Sequence, residues 1–389
     1  MSSLSRIRKS VETVIHGTDG GRFRSLEFAL YLLSFVYGGV VRSRAYGFRR
    51  GLLVARRLPC AVISIGNVTV GGTGKTPLTI HVAERVRDLG YTVVVISRGY
   101  GGRAERSGGV VGDGDVLRMT PETAGDEPFM MADRLRDIPV MVGRDRFSSG
   151  TQAIAQFDPA VLVLDDGFQH RSLVRDLDLV LLDHRHPFGN GYLLPRGPLR
   201  EPISALRRAD AFILTRCGAD DNGQSSDTLS PVLTGHAIGS DTPVFRSSHI
   251  PRIHRIIKGR GDGGESALAP LDMTAVAGRP VYAFSGIARN DDFKATVEGL
   301  GCQLAGFKGF PDHYPYRHED VDRLKSESAT SGAELILTTE KDAVRIPDGV
   351  SWPVDLVVVG LDVVFRDPGN GHGDFDTFLK ERLESIVNP

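Results

Sequence analysis

Ten residues near the start of the chain, Asn67-Val-Thr-Val-Gly-Gly-Thr-Gly-Lys75-Thr76, combine closely spaced glycines with a lysine and a threonine. Glycine allows backbone angles closed to other residues, so the amides of this loop can turn toward an anion. A lysine at this spacing reaches the β- and γ-phosphates of a nucleotide, and the threonine hydroxyl binds Mg²⁺. The predicted phosphate-binding residues are Gly71, Gly72, Thr73, Gly74, Lys75 and Thr76.

The loop departs from the usual pattern G-x-x-x-x-G-K-[ST], because Thr69 occupies the position of the first glycine. The remainder is similar to the variant loop of the partitioning and division-site ATPases, which carry a second lysine where this chain has Val70. An ordinary glycine-rich turn is the alternative. The surrounding strand and helix patterns favour the phosphate loop.

A second group of chemically active residues follows the apolar run that begins at Val161 and ends in Asp165 and Asp166. In a phosphate-loop enzyme an aspartate at such a strand end holds Mg²⁺, directly or through water. Adjacent side chains point to opposite faces of a strand, so we expect one carboxylate to serve the metal and the other to be held by local hydrogen bonds. A turn without a ligand role is the alternative.

A third group is Gly125-Asp126-Glu127-Pro128, which precedes a helical pattern beginning at Phe129. Asp126 has the position of a helix N-cap, and capping is the simpler interpretation. A kinase that phosphorylates an alcohol also needs a carboxylate within hydrogen-bond reach of the attacking hydroxyl. Asp126 is therefore the candidate base, and Glu127 is a further candidate Mg²⁺ ligand.

Three arginines lie in loops that could present them to an anion. Arg98 is in Ser97-Arg-Gly-Tyr-Gly-Gly102 at a strand end, where a flexible turn is the alternative. Arg196 and Arg200 lie in a loop that prolines make rigid, and either could contact a phosphate. Surface salt bridges are an equally good explanation for this pair. All three are candidate substrate-binding residues.

Two further runs lie late in the chain. His313 follows Phe310-Pro-Asp312 in a proline-restrained loop, and a lone histidine of this kind is more often structural than catalytic. Thr339 and Asp342 have the spacing of a capping box. The second run also fails the guanine-reading pattern N-K-x-D, so the residues give no support for GTP.

The elements that must position these groups alternate between strand and helix patterns from residue 58 to about 215. Such alternation predicts a parallel sheet with helices on both faces, whose ligands collect at the carboxyl ends of the strands. The predicted strands are 62–65, 92–96, 140–142, 161–164, 177–182 and 211–214. The predicted fold class is α/β, with a P-loop NTPase-like parallel sheet core, a second smaller α/β domain and an N-terminal membrane-associated helix.

The length of 389 residues favours two domains with appendages. We predict a helical segment at 1–57, a kinase core at 58–215, a second α/β domain at 216–360 and a C-terminal helical segment at 361–389 that packs back on the core. Polar runs at about 218–270 predict surface insertions in the second domain. Within that domain we predict strands at 281–284, 334–338 and 354–359 and a helix at 291–300.

Composition excludes several classes of protein. Lys and Arg total 47 against 48 Asp and Glu, which argues against a nucleic-acid-coating protein. Three widely separated cysteines suggest neither a disulfide framework nor a zinc site, and they suit a reducing compartment. The residues indicate no obligate protein partner.

The segment Leu26–Val41 is strongly apolar and is followed by six arginines between residues 42 and 57. Its 16 residues are fewer than the ~20 that a spanning helix needs, and glycines 38 and 39 fall near its end. Because the charge lies mainly behind the apolar run, it does not have the pattern of a cleaved signal. We expect a helix that lies on an anionic membrane surface. A helix packed on the protein's own core is the alternative.

Seven motifs in order resemble those of the tetraacyldisaccharide 4′-kinase family, which acts in lipid A biosynthesis in Gram-negative bacteria. They are GNVTVGGTGKTP, SRGYGG, GDEP, LDDGFQH, LLPRGPLREP, FPDHYPY and LTTEKDAVR, between about residues 58 and 347. The resemblance implies transfer of the γ-phosphoryl group of ATP to the 4′-hydroxyl of a tetraacylated glucosamine disaccharide 1-phosphate, which would form lipid IVA.

The resemblance also implies roles for individual residues. Asp126 resembles the catalytic base of the family and His313 its partner, while Lys75, Thr76 and the Asp165–Asp166 pair resemble the phosphate and Mg²⁺ ligands. It further implies two α/β domains joined by a short hinge, and a helix on the cytoplasmic face of the inner membrane. The alternative function is a membrane-associated switch ATPase of the division-site type, against which Val70 weighs.

Overall fold

The structure is a computed structural model that describes residue 15 and residues 24–218, 242–259, 275–366 and 374–387. Its first part alternates helices and strands. These are α1 (Arg24–Arg49), β1 (Ala61–Asn67), α2 (Lys75–Asp88), β2 (Val93–Ser97), β3 (Gly109–Gly112), α3 (Pro121–Ala124), α4 (Asp126–Arg134), β4 (Val140–Val142), α5 (Arg146–Phe157), β5 (Val161–Asp165), β6 (Leu177–Asp183) and β7 (Ala211–Thr215).

The second part has the same character and begins with an unusually long strand. Its elements are β8 (Val244–Ile257), β9 (Pro280–Ser285), α6 (Asn290–Gly299), β10 (Gln303–Gly309), α7 (His318–Thr330), β11 (Leu335–Thr339), α8 (Glu340–Ala343), β12 (Asp355–Arg366) and α9 (Phe375–Val387).

All of these strands belong to one sheet in the order β10-β9-β11-β12-β8-β7-β6-β1-β5-β2-β4-β3. Neighbouring strands are parallel except for β3 with β4 and β8 with β12. The predicted α/β class and its mostly parallel sheet are confirmed. The strands that were predicted from apolar runs are also confirmed. Strands β1, β2, β4 and β5 are buried along their whole length, as expected for strands that helices cover on both faces.

The polar region predicted as an insertion at 218–270 contains β8, so that prediction is wrong for residues 244–257. Polar residues such as Arg246, Ser248 and His254 alternate with buried ones along this strand, which hides it in a search for apolar runs. The remainder of the predicted insertion, residues 219–241 and 260–270, lies outside the described residues. Strand β10 was also not predicted, because its sequence is half polar.

Strand β8 joins the two parts of the sheet. It pairs with β7 in parallel on one side and with β12 in antiparallel fashion on the other, over a register that runs from Leu356↔Ile257 to Arg366↔Arg246. Residues 361–366, assigned by prediction to the C-terminal segment, belong to β12. Helix α9 packs through Phe375, Leu379 and Leu383 on the core that contains β1. The division into separate domains stays a prediction.

Helix α1 is longer than the 16-residue apolar run that predicted it, since it spans 26 residues. It is also the one helix in the described part of the chain that is long and apolar enough to cross a membrane by length and composition. Gly38, near the end of the apolar run, lies in the interior of the helix. A Cβ at this glycine would lie 2.9 Å from Leu193 Cδ1, so the glycine lets the helix approach the loop beneath it without ending there.

The sheet bends enough to bring its distant strands together. Twelve strands at a spacing of about 4.8 Å would extend roughly 50 Å if they lay flat. Asp126 follows β3 at one end of the strand order and His313 follows β10 at the other, yet His313 Nδ1 lies 2.9 Å from Asp126 Oδ2. The two halves of the sheet therefore face each other across the groups that were predicted to carry the chemistry.

Candidate active site

The phosphate loop connects the buried end of β1 to the first turn of α2. Gly71 and Gly74 have φ angles of 112° and 84°, in the left-handed region that favours glycine. Gly74 is the N-cap of α2, and no side chain caps the helix. The N-terminal amides and the positive end of the helix dipole are therefore available to an anion.

Side chains at the ends of β1 and β7 hold the loop in this conformation. Asn67 donates from Nδ2 to Thr73 Oγ1 at 2.9 Å and accepts from Lys75 Nζ at 3.3 Å. Arg216 at the end of β7 donates to the carbonyl of Gly72 at 2.7 Å and pairs with Asp183. Lys75 therefore lies over the loop, as a phosphate-binding lysine must.

Asp165 ends β5 beside the phosphate loop and is buried. It accepts hydrogen bonds from Thr79 Oγ1 at 3.3 Å and Ser97 Oγ at 2.9 Å. Burial, followed by the negative charges of Glu127 and Asp166, raises the pKa of Asp165 to about 6. A cation at this position would relieve that repulsion.

Asp166 points to a different set of partners, as expected for adjacent residues at a strand end. Arg200 Nη1 donates to both carboxylate oxygens at 2.9 and 2.8 Å, and Lys75 Nζ lies 3.7 Å from Oδ1. Burial alone would raise the pKa of Asp166, but Lys75 and Arg200 outweigh it and lower the pKa. Arg200 therefore lies at the site, where its positive charge compensates the negative charge of Asp166.

The donor set fits Mg²⁺ in its chemistry. Mg²⁺ prefers oxygen ligands and binds through one or two carboxylates together with the phosphates of a nucleotide and water. Thr76, Asp165 and Asp166 supply such oxygens beside the phosphate loop. Among the described residues no cluster of three or more His, Cys, Asp or Glu side chains could hold a metal ion.

Asp126 is the first residue of α4 and does not act as its N-cap, so the capping interpretation is wrong. The N-cap is Gly125, which has a φ of 90° and no side chain. A Cβ at Gly125 would lie 2.9 Å from the carbonyl oxygen of Tyr100, so only glycine fits there. The carboxylate of Asp126 is consequently free of a capping role.

Basic side chains from the other half of the sheet surround Asp126. His313 Nδ1 lies 2.9 Å and Arg345 Nε 2.8 Å from the same oxygen, Oδ2. Burial would raise the pKa of Asp126, but the hydrogen bond from His313 and the charges of Arg345 and Lys341 outweigh it and lower the pKa. The carboxylate is therefore ionised at neutral pH, as a base must be before it accepts a proton.

Glu127 faces the same interface as Asp126. Its Oε1 lies 3.2 Å from Lys341 Nζ. This ion pair competes with metal binding by Glu127, and its assignment as a metal ligand stays a prediction. Thr339 caps α8 by accepting from the amide of Asp342 at 3.0 Å, which confirms the capping interpretation of that run.

The other two arginines predicted to bind substrate have protein partners. Arg98 pairs with Glu105 at 2.7 Å, and its glycine-rich loop packs on the backbone that precedes Asp126, because a Cβ at Gly102 would lie 2.6 Å from the amide nitrogen of Gly125. Arg196 lies 3.6 Å from Glu27 of α1. The structure therefore contains the features named as alternatives to substrate binding, namely the glycine-rich turn at Arg98 and a salt bridge at Arg196.

Several residues of the site were missed in the sequence. Arg146 lies beneath the two strand-end aspartates and donates to the carbonyl oxygen of Asp165 at 3.3 Å; burial lowers its pKa to about 10. Arg345 and Lys341 lie within the run LTTEKDAVR, whose cations were not assigned a role. His249 of β8 packs on the phosphate loop, since a Cβ at Gly74 would lie 2.4 Å from its Cε1. Only spatial proximity identifies these four.

The class of protein follows from the fold together with this arrangement. A loop of amides with a lysine binds phosphate, and an ionised aspartate held opposite it can activate a hydroxyl group. We interpret the pair as the donor and acceptor sides of a P-loop kinase. Residues 26–383 match the family model described as tetraacyldisaccharide-1-P 4′-kinase, and the chain therefore belongs to that family.

Individual relatives agree with the family match. The chain is 41% identical to the tetraacyldisaccharide 4′-kinase of Syntrophus aciditrophicus over 83% of this chain and 84% of the relative. It is 36% identical to that of Desulfatibacillum aliphaticivorans over 98% of this chain and 99% of the relative. These relatives are kinases, so the switch ATPase considered as an alternative is not supported.

A solved structure is similar over most of the chain. It is LpxK from Aquifex aeolicus, crystallised as an "apo" form in complex with ATP. The two share a TM-score of 0.71 at 28% identity, over 93% of this chain and 99% of the other. The α/β fold and the ATP-dependent kinase class predicted from the sequence are confirmed.

Proposed function

We propose that this protein transfers the γ-phosphoryl group of ATP to the 4′-hydroxyl of tetraacyldisaccharide 1-phosphate, the lipid A disaccharide precursor, and so forms lipid IVA. The family supports the reaction. One observation carries the assignment of the catalytic group, namely the shared contact of His313 and Arg345 with Oδ2 of Asp126. His313 and Arg345 both contact Oδ2, and no described side chain donates a hydrogen bond to Oδ1, so Oδ1 remains for the acceptor hydroxyl.

Asp126 acts as the general base in this proposal. Its Oδ1 accepts the proton of the 4′-hydroxyl while the hydroxyl oxygen bonds to the γ-phosphorus and the bond from that phosphorus to the bridging oxygen of ADP breaks. Arg345 and His313 hold the carboxylate in its ionised form and fix its orientation. A base positioned in this way contributes roughly 10²- to 10⁴-fold to the rate.

The phosphate loop and Lys75 bind and orient the donor. The amides at the start of α2 face the β-phosphate, and Lys75 stabilises the negative charge that is distributed over the phosphoryl oxygens. Thr76, Asp165 and Asp166 would hold Mg²⁺, with Glu127 as a further candidate. When bound, Mg²⁺ neutralises phosphate charge and aligns the β- and γ-phosphates.

A basic pocket beside the site suits the 1-phosphate of the acceptor. The pocket of about 510 Å³ is open, and it follows the carboxyl ends of β2, β4 and β5. Its lining residues are Arg56, Arg106, Arg144, Asp145, His170 and Ser172. Arg56 pairs with Asp145, which leaves two exposed arginines to attract a phosphate. We propose this pocket in addition to Arg98, Arg196 and Arg200 as part of the acceptor site.

Helix α1 supports a location on the anionic, cytoplasmic face of the inner membrane. Residues 30, 34 and 38 are buried against the protein, while apolar side chains on the rest of the helix are exposed. The exposed set is Phe28, Leu32, Leu33, Phe35, Val36 and Val40. A helix that buries only a narrow stripe against the protein and exposes a wide apolar face is suited to a bilayer, where the acyl chains of the acceptor also reside.

Phosphoryl transfer to the purified acceptor tests the proposed function. The protein is incubated with ATP, Mg²⁺ and tetraacyldisaccharide 1-phosphate in mixed micelles, and the product is identified by mass spectrometry and its position by ³¹P–¹H NMR. We expect one added phosphate at the 4′ position. ADP release without acceptor should be at least about 100-fold slower than with it, because the base has no other hydroxyl to activate. Equal ADP release with and without acceptor would contradict the proposal.

A further inference from the structure

Lys341 of α8 lies on the far side of His313 from Asp126. Its Nζ is 3.3 Å from His313 Nε2, while Nδ1 of the same ring is 2.9 Å from Asp126 Oδ2. The side chain of Lys341 is 20% exposed, so the ammonium group is largely enclosed by these neighbours. The three side chains form a continuous line from the surface of α8 to the candidate base.

The direction of each hydrogen bond in this line is fixed by chemistry. An ammonium group can only donate, so His313 Nε2 must accept from Lys341. An ionised carboxylate can only accept, so His313 Nδ1 must donate to Asp126. Both conditions hold together only when the imidazole is neutral and carries its proton on Nδ1.

We propose that Lys341 is a positioning residue for the Asp126–His313 pair, which it serves by holding His313 in the neutral Nδ1–H tautomer. The inference rests on the proposed function only in taking Asp126 as the base. In this arrangement His313 donates a hydrogen bond to the ionised Asp126 and orients it. Without Lys341, Nε2 no longer has a donor beside it and can carry a proton itself, so the ring is no longer restricted to the neutral Nδ1–H form.

The backbone of His313 supports a fixed ring position. The residue has a φ of 58°, in the left-handed region that few residues other than Gly adopt and that Asn, Asp and His adopt more often than the rest. The loop is held by its neighbours, because Asp312 accepts from the amide of His313 at 3.0 Å and lies 3.5 Å from Lys341 Nζ. Lys341 therefore contacts both the ring and the loop that carries it.

Lys341 also pairs with Glu127, whose Oε1 lies 3.2 Å from its ammonium group, and this contact defines the competing explanation for its position. A lysine that only neutralised Glu127 or bound a nucleotide phosphate would leave the tautomer of His313 unchanged when it was removed. The tautomer of His313 therefore separates the two functions, and it can be measured without turnover.

The test compares Lys341→Met, which keeps the length of the side chain and removes the donor, with Lys341→Arg, which keeps a donor. Two-bond ¹H–¹⁵N correlation spectra of the full-length, [¹⁵N]histidine-labelled protein distinguish Nδ1–H from Nε2–H, and the His313 signals are those lost in His313→Gln. We expect the Nδ1–H pattern with an unprotonated Nε2 in the wild type and in Lys341→Arg, and a proton on Nε2 in Lys341→Met. Circular dichroism verifies that each variant is folded.

Kinetics provide the second measurement. Lys341→Met should lower kcat by about tenfold, part of the general-base contribution, with the KM values for ATP and acceptor changed less than about twofold. Lys341→Arg should recover most of kcat. Lys325→Met is the matched control, since Lys325 pairs with exposed Asp322 one turn earlier in its own helix, at 3.4 Å.

An unchanged His313 tautomer in folded Lys341→Met would overturn the inference, as would a loss confined to the KM for ATP. Neither result would affect the proposed function, which depends on whether the wild type phosphorylates the acceptor and whether Asp126→Asn fails to. Activity retained in Asp126→Asn would instead remove the base assignment, whatever the tautomer of His313.

Discussion

The two carboxylate oxygens of Asp126 have different surroundings. One carboxylate oxygen contacts Arg345 and His313, and in the proposed reaction the other accepts the proton of the acceptor hydroxyl. Arg345 is almost fully buried and also contacts Asp342 at 3.3 Å and the carbonyl oxygen of Gly286 at 3.1 Å. Asp342 accepts in turn from Tyr316 and the amide of Gly286, so the guanidinium group that contacts Asp126 is itself fixed.

We expect Arg345→Met to lower kcat by about 10- to 100-fold, because Asp126 loses the cation that fixes Oδ2. Steady-state kinetics with both substrates would measure this effect. Arg345→Lys should retain more activity, since it keeps a charge without the planar guanidinium geometry. Arg279→Met is the control, because Arg279 pairs with exposed Glu334 away from the site. Wild-type kcat in Arg345→Met would show that His313 alone holds the base.

The two exposed arginines of the basic pocket give a second prediction at this scale. Replacing Arg106 and Arg144 together by Met should raise the KM for the acceptor by about tenfold or more, as expected for the loss of charge-assisted contacts to a phosphate. The KM for ATP should not change. Initial rates against acceptor concentration provide the measurement. An unchanged acceptor KM would place the 1-phosphate elsewhere.

The sequence identifies site residues when they belong to a local pattern. The phosphate loop, Asp165–Asp166 and Asp126 each lie at the end of an apolar strand or the start of a helix, and each lies where those patterns predicted. Arg345 and Arg146 could not be found in this way. An arginine in a sequence has the same appearance whether it is exposed or buried against a carboxylate from another half of the sheet.

At the scale of elements, α1 departs from the ordinary pattern of a surface helix. Its buried positions recur every four residues, and the exposed side between them is apolar. Each half-exposed Phe, Leu or Val on this side gains about 1 kcal/mol on leaving water, so six such residues provide substantial attraction to a bilayer. Tyr37 donates to the carbonyl oxygen of Arg200, which connects the helix to the loop that holds Asp166.

We expect the triple variant Phe35→Gln, Val36→Gln, Val40→Gln to lose most of its binding to vesicles of phosphatidylglycerol and phosphatidylethanolamine. The substitutions leave the buried face of α1 intact, so ATP affinity should remain within about twofold of the wild type. Flotation in a density gradient would measure the bound fraction. A control variant, Leu89→Gln with Val116→Gln, changes exposed apolar residues outside α1. Equal flotation of wild type and triple variant would exclude α1 as the membrane-binding element.

Strand β8 brings His249 against the phosphate loop, where its Nε2 is buried without a hydrogen-bond partner. Burial, and then the charge of Arg216, lowers the pKa of His249 to about 4 from an ordinary 6.5. Between these two values the unfolded chain binds a proton that the folded protein does not. The free energy of unfolding therefore falls as the pH is lowered from about 6.5 to about 4.

We expect His249→Gln to reduce this loss of stability, by no more than about 3 kcal/mol between pH 7 and pH 4. Urea midpoints of the full-length protein measured over this pH range would reveal it. His318→Gln is the control, because His318 is exposed at the start of α7. If His249→Gln had the same pH dependence as the wild type, the pKa of His249 would have to be the same in the folded and unfolded protein.

The whole molecule is organised around the contact between the two halves of its sheet. Near the C-terminal end of α4, Arg134 contacts Glu340 of α8, at 3.4 Å, and Asp362 of β12. His254 of β8 lies 3.3 Å from the same glutamate. Ion pairs at both ends of α4 therefore attach it to α8 and to the β8–β12 pair.

The parallel arrangement of the strands could be predicted, because buried strands and their helices leave periodic patterns in the sequence. The join between the halves could not, because β8 has a half-polar sequence that resembles a loop. The meeting of Asp126 with His313, 187 positions away, depends on the bend of the sheet. The family resemblance implied this pair, whereas spacing and periodicity left His313 without a role.

Transfer of labelled phosphate by wild type and Asp126→Asn tests the central claim most directly. Both proteins would be saturated with [γ-³²P]ATP and Mg²⁺ and mixed with tetraacyldisaccharide 1-phosphate, and the labelled lipid would be followed in a single turnover. We expect labelled 4′-phosphorylated lipid from the wild type and a rate at least about 100-fold lower from Asp126→Asn, with ATP bound equally well by both. Transfer by Asp126→Asn at the wild-type rate, or no labelled lipid from the wild type, would contradict the account.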